Sequence, residues 1–292
     1  MIARPFCPVS RPALHAVLGI ALLSFMDAII KALVIRLPVL EIAFLRYLVG
    51  SFVMVAILGV ARPGWPDRES LKANALRAVV VVITAASFFY ALGQLPLAET
   101  LILSFISPVV TALLAALLLG ERIDRRILAA LGAGFAGVAL IVLPGLVGGD
   151  PGHVRSGSLP GVVAVIVSAI GYSASNVLLR ARAQRDPLLT IVGIQNLAPA
   201  AMLAGPAAFL WVTPGPSDWA LIAAVGSLGV GGHLFLARAY ARAEATRLAA
   251  LDYTALIWAV LIGLLVFGEV PTIWVGFGGV LILSAALLAT RR

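Results

Sequence analysis

Apolar residues run along this chain in stretches of about twenty, each cut short by a cluster of Gly, Pro and charge. A bilayer core about 30 Å thick is crossed by roughly 20 helical residues rising about 1.5 Å each. Measured with that ruler, the sequence predicts ten spans: 13–34, 39–60, 72–94, 97–119, 126–145, 159–180, 188–211, 217–241, 246–267 and 271–290. The breaks between them carry turn chemistry, as in Arg62-Pro-Gly-Trp-Pro66, Gly148-Gly-Asp-Pro-Gly152 and Thr213-Pro-Gly-Pro-Ser217. The first apolar run has no small-x-small cleavage site, which predicts a retained helix rather than a leader.

The pattern is also written twice. Leu113-Leu-Ala-Ala-Leu-Leu-Leu-Gly-Glu121 recurs as Leu261-Ile-Gly-Leu-Leu-Val-Phe-Gly-Glu269, a shift of 148 positions. One position further out, Asp27-Ala-Ile-Ile-Lys31 falls on Asn176-Val-Leu-Leu-Arg180. Internal duplication of this kind builds transport pathways between two equivalent halves. The predicted organisation is a cytoplasmic tail over 1–12, a five-helix repeat over 13–147, an outer-face linker over 148–158 and a second repeat over 159–292.

Composition narrows the class. The chain is 62% hydrophobic and 12% charged, about half the charge of a soluble domain. The fold class is therefore an all-α integral membrane protein. The net charge of +8 sits in short clusters between apolar runs, which points to helix orientation and away from nucleic acid. With both termini cytoplasmic, 17 of the 21 Lys and Arg residues fall inside, Lys31, Arg36 and Arg155 fall outside, and Arg46 lies within a span. Nine or eleven spans would break that alternation. Five spans per half is odd, so the halves enter the membrane from opposite sides, as an inverted repeat. The expected location is the inner membrane, with lipid as a partner.

Tyr90-Ala-Leu-Gly-Gln-Leu-Pro-Leu-Ala-Glu99, Ser107-Pro108 and the Gly120-Glu-Arg122 run resemble the first half of an EamA-type carrier of the drug/metabolite transporter superfamily. Ala243-Glu-Ala-Thr-Arg-Leu-Ala-Ala-Leu-Asp-Tyr-Thr254 and Gly268-Glu-Val-Pro271 repeat the resemblance. It implies two inverted five-helix bundles that export small metabolites by alternating access. Within the superfamily the chain is most similar to the YddG-like exporters of aromatic amino acids, although Asp27 stands where that family commonly has Asn. Carriers of a cationic drug or nucleotide sugar share the same features, and a non-transporting membrane receptor is a rival of another class.

No enzyme motif is present: no Gly-x-Ser-x-Gly elbow, phosphate loop or His-Glu-x-x-His. One Cys and three His predict no metal site and no cofactor. Intramembrane ionisable groups are the default functional candidates because a charge in hydrocarbon is costly. Asp27 and Arg46 share one depth in the first two spans and Lys31 sits one turn above Asp27, as a protonatable or cation-binding cluster or as an ion pair locking two helices while Lys31 snorkels. Asp252 lies in the ninth span with Arg238 or His233 as its expected partner. Glu99, Glu121 and Glu269 are expected at watery helix ends.

Substrate contacts are expected from Tyr90 and Gln94 in the third span, Tyr172 and Asn176 in the sixth, Gln195 in the seventh, His233 in the eighth and Trp258 in the ninth. A zwitterion carrying a ring suits aromatic faces beside amides. Trp65, Trp211, Trp219 and Trp274 fall at span ends, as interfacial belts do. Pro108, Pro199 and Gly231 are central in the fourth, seventh and eighth spans, where they predict kinks or hinges. Gly132-x-Gly134-x-x-Gly137 and Gly276-x-Gly278-Gly279 predict tight packing, within the chain or between two protomers of a homodimer.

Overall fold

In hydrocarbon a backbone amide finds no water, so each apolar run satisfies its own N–H and C=O groups as a helix. The computed structural model of the chain describes residues 11–62, 66–94, 103–147, 159–267 and 273–290. Among the described residues it has eleven α-helices, one 3-10 segment and no strand. The first five are α1 (Arg11–Leu33), α2 (Val39–Ala61), α3 (Arg68–Gln94), α4 (Ser107–Leu119) and α5 (Arg125–Val147). The rest are α6 (Leu159–Ala183), α7 (Leu188–Phe209), α8 (Pro216–Arg242), α9 (Ala245–Ala249), α10 (Thr254–Phe267) and α11 (Ile273–Thr290). Among the described residues, seven stretches are long and apolar enough to cross a membrane: α1, α2, α3, α6, α7, α8 and the run Ala245–Ile262.

Helix ends follow the predicted punctuation. Pro38 and Pro187 stand just before α2 and α7, where a missing N–H costs nothing. Gly120 closes α4 with φ 68° and an N–H bonded to the Ala115 carbonyl, a left-handed cap that glycine adopts without strain.

The fourth and ninth spans depart from the prediction of continuous helices. Residues 105–106 form a turn and α4 starts only at Ser107. Pro108 therefore occupies the first helical turn, not a kinked helix middle, because a ring with fixed φ and no N–H fits there without loss. In the ninth span α9 gives way to the 3-10 segment Ala250–Tyr253 before α10 resumes. The repeat shift carries Phe105 onto Tyr253. Their rings stack with centroids 5.9 Å apart at 36°, so the two breaks occur in register and meet. Gly231, expected as a hinge, lies within an uninterrupted α8, where α1 supports the helix and an added Cβ would meet Leu22 at an ordinary 3.4 Å. Pro199 is inside α7 as predicted.

Helix pairing respects the duplication. Exchanging the halves turns α1–α8 into α6–α3, α2–α8 into α7–α3 and α4–α6 into α10–α1, and each of these packed pairs occurs. The pairs α2–α7 and α5–α11 are their own counterparts. Gly137 explains how closely the last pair approaches: a Cβ there would stand 2.8 Å from the Gly278 carbonyl oxygen and from Ile282. Gly134 and Gly137 thus pack within the chain, whereas a Cβ at Gly132, Gly276 or Gly279 would meet nothing within 4 Å. Gly137→Leu should overpack this crossing and cost about 1–3 kcal/mol, read as a lower melting temperature in detergent. Gly132→Leu is the control, since a Cβ at Gly132 meets nothing within 4 Å. Equal losses in both variants would sink the close-crossing explanation.

Candidate functional site

Where the two halves face each other, a cavity of about 300 Å³ opens among α1, α2, α3, α6, α7 and α8 and the two helix breaks. Its walls come in repeat-related pairs that share a place but not a chemistry: Leu23 with Tyr172, Asp27 with Asn176, Arg46 with Gln195, and Ser104 with Asp252. Phe88, Phe89 and Phe105 supply an apolar side.

Four formal charges line this space, Asp27, Asp252, Arg46 and Arg77. None of them forms an ion pair within 4 Å with a described residue. Arg46 instead donates from Nε to Met26 Sδ at 3.1 Å and lies 4.5 Å from the Tyr47 ring centroid. Asp27 faces the cavity within electrostatic range of Arg46. Arg77 Nε donates to the Ser175 carbonyl at 3.1 Å. Tyr172 stands one helical turn from Asn176 and within electrostatic range of Asp252 in the same wall. His233 Nδ1 lies 2.7 Å from the Gly229 carbonyl oxygen, which fixes the proton on that nitrogen.

Three buried polar atoms in the same wall have no partner among the described residues: Nδ2 of Asn176, Oε1 of Gln195 and Oδ2 of Asp252. An unpartnered buried polar group costs about 1–3 kcal/mol. Concentrated in a concave, largely apolar space, such groups mark where a ligand or ordered water completes the hydrogen bonding.

The structure thus brings Asp27, Arg46, Tyr172, Asn176, Gln195, His233 and Asp252 together. Tyr90 and Gln94 are exposed and outside the cavity wall, because the helical period that turns Ala85, Phe88 and Phe89 inward turns Tyr90 away. Trp258 packs against the cluster around Leu236 and Tyr240 instead of lining the cavity. Lys31 belongs to the last turn of α1, and its side chain lies outside what is described. Glu99, Trp65 and Gly268-Glu269 lie outside the described residues.

Charge counting along the chain misplaces one group. Arg77 falls on the cytoplasmic side of the count, yet it is 3% exposed and lines the cavity; its place more than two turns into α3 is the signal that could have revealed it. Neither expected partner of Asp252 forms an ion pair with it: Arg238 stands 6.0 Å from the Phe235 ring and His233 turns Nδ1 to the Gly229 carbonyl, while Tyr172 is the neighbour of Asp252. Sequence patterning also passes over Glu41, fully buried and accepting the Val212 N–H at 2.9 Å.

Glu121 is not a solvated helix end. Its side chain is only 8% exposed, pairs with Arg180 at 3.1 Å and accepts the Thr246 N–H at 2.9 Å, while Arg180 donates to the Tyr240 carbonyl at 2.7 Å. Four chain segments close there through one ion pair. Nearby, Asp186 in the α6–α7 loop accepts from Asn74 at 2.9 Å and Arg182 at 2.7 Å. Burial pushes its pKa up, but hydrogen bonds from Arg182, Ser70 and Asn74 outweigh that and hold it below the usual carboxylate value. Its stabilising contribution is present above the unfolded pKa and disappears as pH falls through the depressed one. No group of three potential metal ligands occurs among the described residues.

Residues 11–143 and 159–291 each match the EamA-like transporter family. The chain belongs to this family. It is accordingly a multi-pass membrane protein of a small-molecule transporter class. It is 31% identical over 285 residues, 95% of each chain, to the pseudopaline exporter CntI of Pseudomonas aeruginosa. It is 24% identical over 264 residues to the S-adenosylmethionine uptake transporter of Rickettsia prowazekii, covering 90% of this chain and 87% of that one. A solved crystal structure shares the fold at TM-score 0.81 and 24% identity, covering 97% of this chain and 99% of that one.

Proposed function

We propose that this EamA-family chain exports a small organic metabolite across the inner membrane by alternating access, with amino acids as the substrate class and aromatic ones the first to test. The observation that carries this is the cavity between the halves, with four charges lacking ion partners beside a wall of Phe. A ring fits the Phe side, and a charged head group fits the polar side. The inverted arrangement, with both termini inside, 148–158 outside and each repeat contributing five spans, is supported by the double family match and the exchangeable helix pairs. It gives alternating access a physical form, in which two near-equivalent halves exchange conformations around a fixed site. Without an ATP site, a substrate or ion gradient drives the flux.

Named relatives run in both directions, one an exporter and one an uptake transporter, so the assay has to resolve direction. Purified protein in sealed liposomes should show saturable counterflow of labelled Phe or Trp, faster out of the face equivalent to the cytoplasm. A correctly inserted, sealed preparation that moves no amino acid removes the amino-acid claim.

A further inference from the structure

We propose that Arg77 and Asp252 are the two ends of a head-group clamp, so that the cavity selects molecules bearing a carboxylate and an ammonium together over molecules bearing either alone. This deepens the transporter proposal and rests on it.

The charges in the cavity are not equivalent. Asp27 and Arg46 lie within electrostatic range of one another, and each partly offsets the other. Among the described residues, neither Arg77 nor Asp252 has an opposite charge within that range. Electrostatically, Arg77 meets the hydroxyls of Tyr47 and Tyr240, and Asp252 meets Tyr172. Both line the same cavity.

Each also has hydrogen-bonding capacity left over. The Nε of Arg77 is taken by the Ser175 carbonyl, which leaves the two terminal amino groups of its fork to meet a carboxylate in the bidentate manner. Asn176, next in sequence to Ser175, adds an unpartnered Nδ2 donor, and Asp252 Oδ2 and Gln195 Oε1 are unpartnered acceptors. Donors and a cation thus stand ready for a carboxylate, and acceptors and an anion for an ammonium. A ligand with one charge would leave the opposite buried group uncompensated, which is the costlier arrangement in a low-dielectric site.

The test uses the full chain in lipid nanodiscs, with L-Phe, L-Trp, L-His, L-Glu and L-Arg as probes and thermal protection as the readout. Each binding amino acid is compared with its decarboxylated amine and its deaminated acid, phenethylamine and 3-phenylpropionate in the case of Phe. The zwitterion should bind at least tenfold more tightly than either analogue. Arg77→Gln should erase the preference over the amine, and Asp252→Asn the preference over the acid. Arg77→Lys should restore part of it, because it returns the charge without the fork.

An analogue that binds as tightly as its zwitterion overturns the clamp, as does a panel in which no zwitterion protects, or folded variants that keep full discrimination. The transporter proposal fails separately. Binding without flux in liposomes sinks transport and leaves the clamp, whereas flux of a zwitterion that the bare amine inhibits equally well does the reverse.

Discussion

Arg180→Gln should cost about 3–5 kcal/mol of stability, because it strands the Glu121 carboxylate inside the protein. The Glu121 side chain is 8% exposed and that of Arg180 13%, so water screens the pair little. The same guanidinium donates to the Tyr240 carbonyl, and the same carboxylate accepts from Thr246. Removing Arg180 therefore loosens α4, α6, α8 and α9 at once. The double variant Glu121→Gln with Arg180→Gln should recover much of the loss, since no buried charge is then left without a partner. Thermal melts in detergent read both. A single variant within about 0.5 kcal/mol of the parent, the usual range for an ordinary surface substitution, would show that Glu121 is in effect solvated.

Tyr253→Ala should be comparably damaging, at about 3–5 kcal/mol for truncating a fully buried aromatic residue. Tyr253 has no exposed surface and its ring stacks on Phe105 where the two helix breaks meet. It also fills the space over Gly134, where a Cβ would fall against the ring, 2.6 Å from Cε2. The hydroxyl, in contrast, is buried without a partner, so Tyr253→Phe should be neutral or stabilising. The contrast between the two substitutions is the measurement. If Phe costs as much as Ala, the hydroxyl rather than the ring holds the break together.

Span positions were legible in the sequence because lipid leaves the backbone one economical solution, and twenty apolar residues in a row report it directly. Val39–Ala61 and Leu188–Phe209 fall within a residue or two of their predicted limits. The breaks at Phe105 and at Ala250–Tyr253 were not legible, because hydropathy does not change where the helix does: Ala250-Leu-Asp-Tyr253 sits inside an otherwise apolar run. Pro108 was noticed for the right reason, its missing N–H, but assigned the wrong place, since only the structure shows that the helix begins at Ser107.

The site divides in the same way. Asp27, Arg46, Asn176, Gln195, His233 and Asp252 were found as polar groups at membrane depth, where each demands a reason. Arg77 was missed because a cation near a predicted helix start reads as a surface charge. Tyr90 and Trp258 were overread because aromatic character says nothing about which way a side chain faces.

By itself the sequence determined the membrane class, most of the spans and the duplicated pattern, all properties of local composition and repetition that need no knowledge of which helix touches which. Only the tertiary structure decided that Phe105 meets Tyr253, that Glu121 is the partner of Arg180, and that Arg77 and Asp252 border one cavity without an ion pair to any described residue. Those facts depend on contacts between segments far apart in the chain. One helical turn of difference in depth or facing separates a snorkelling cation from a cavity wall.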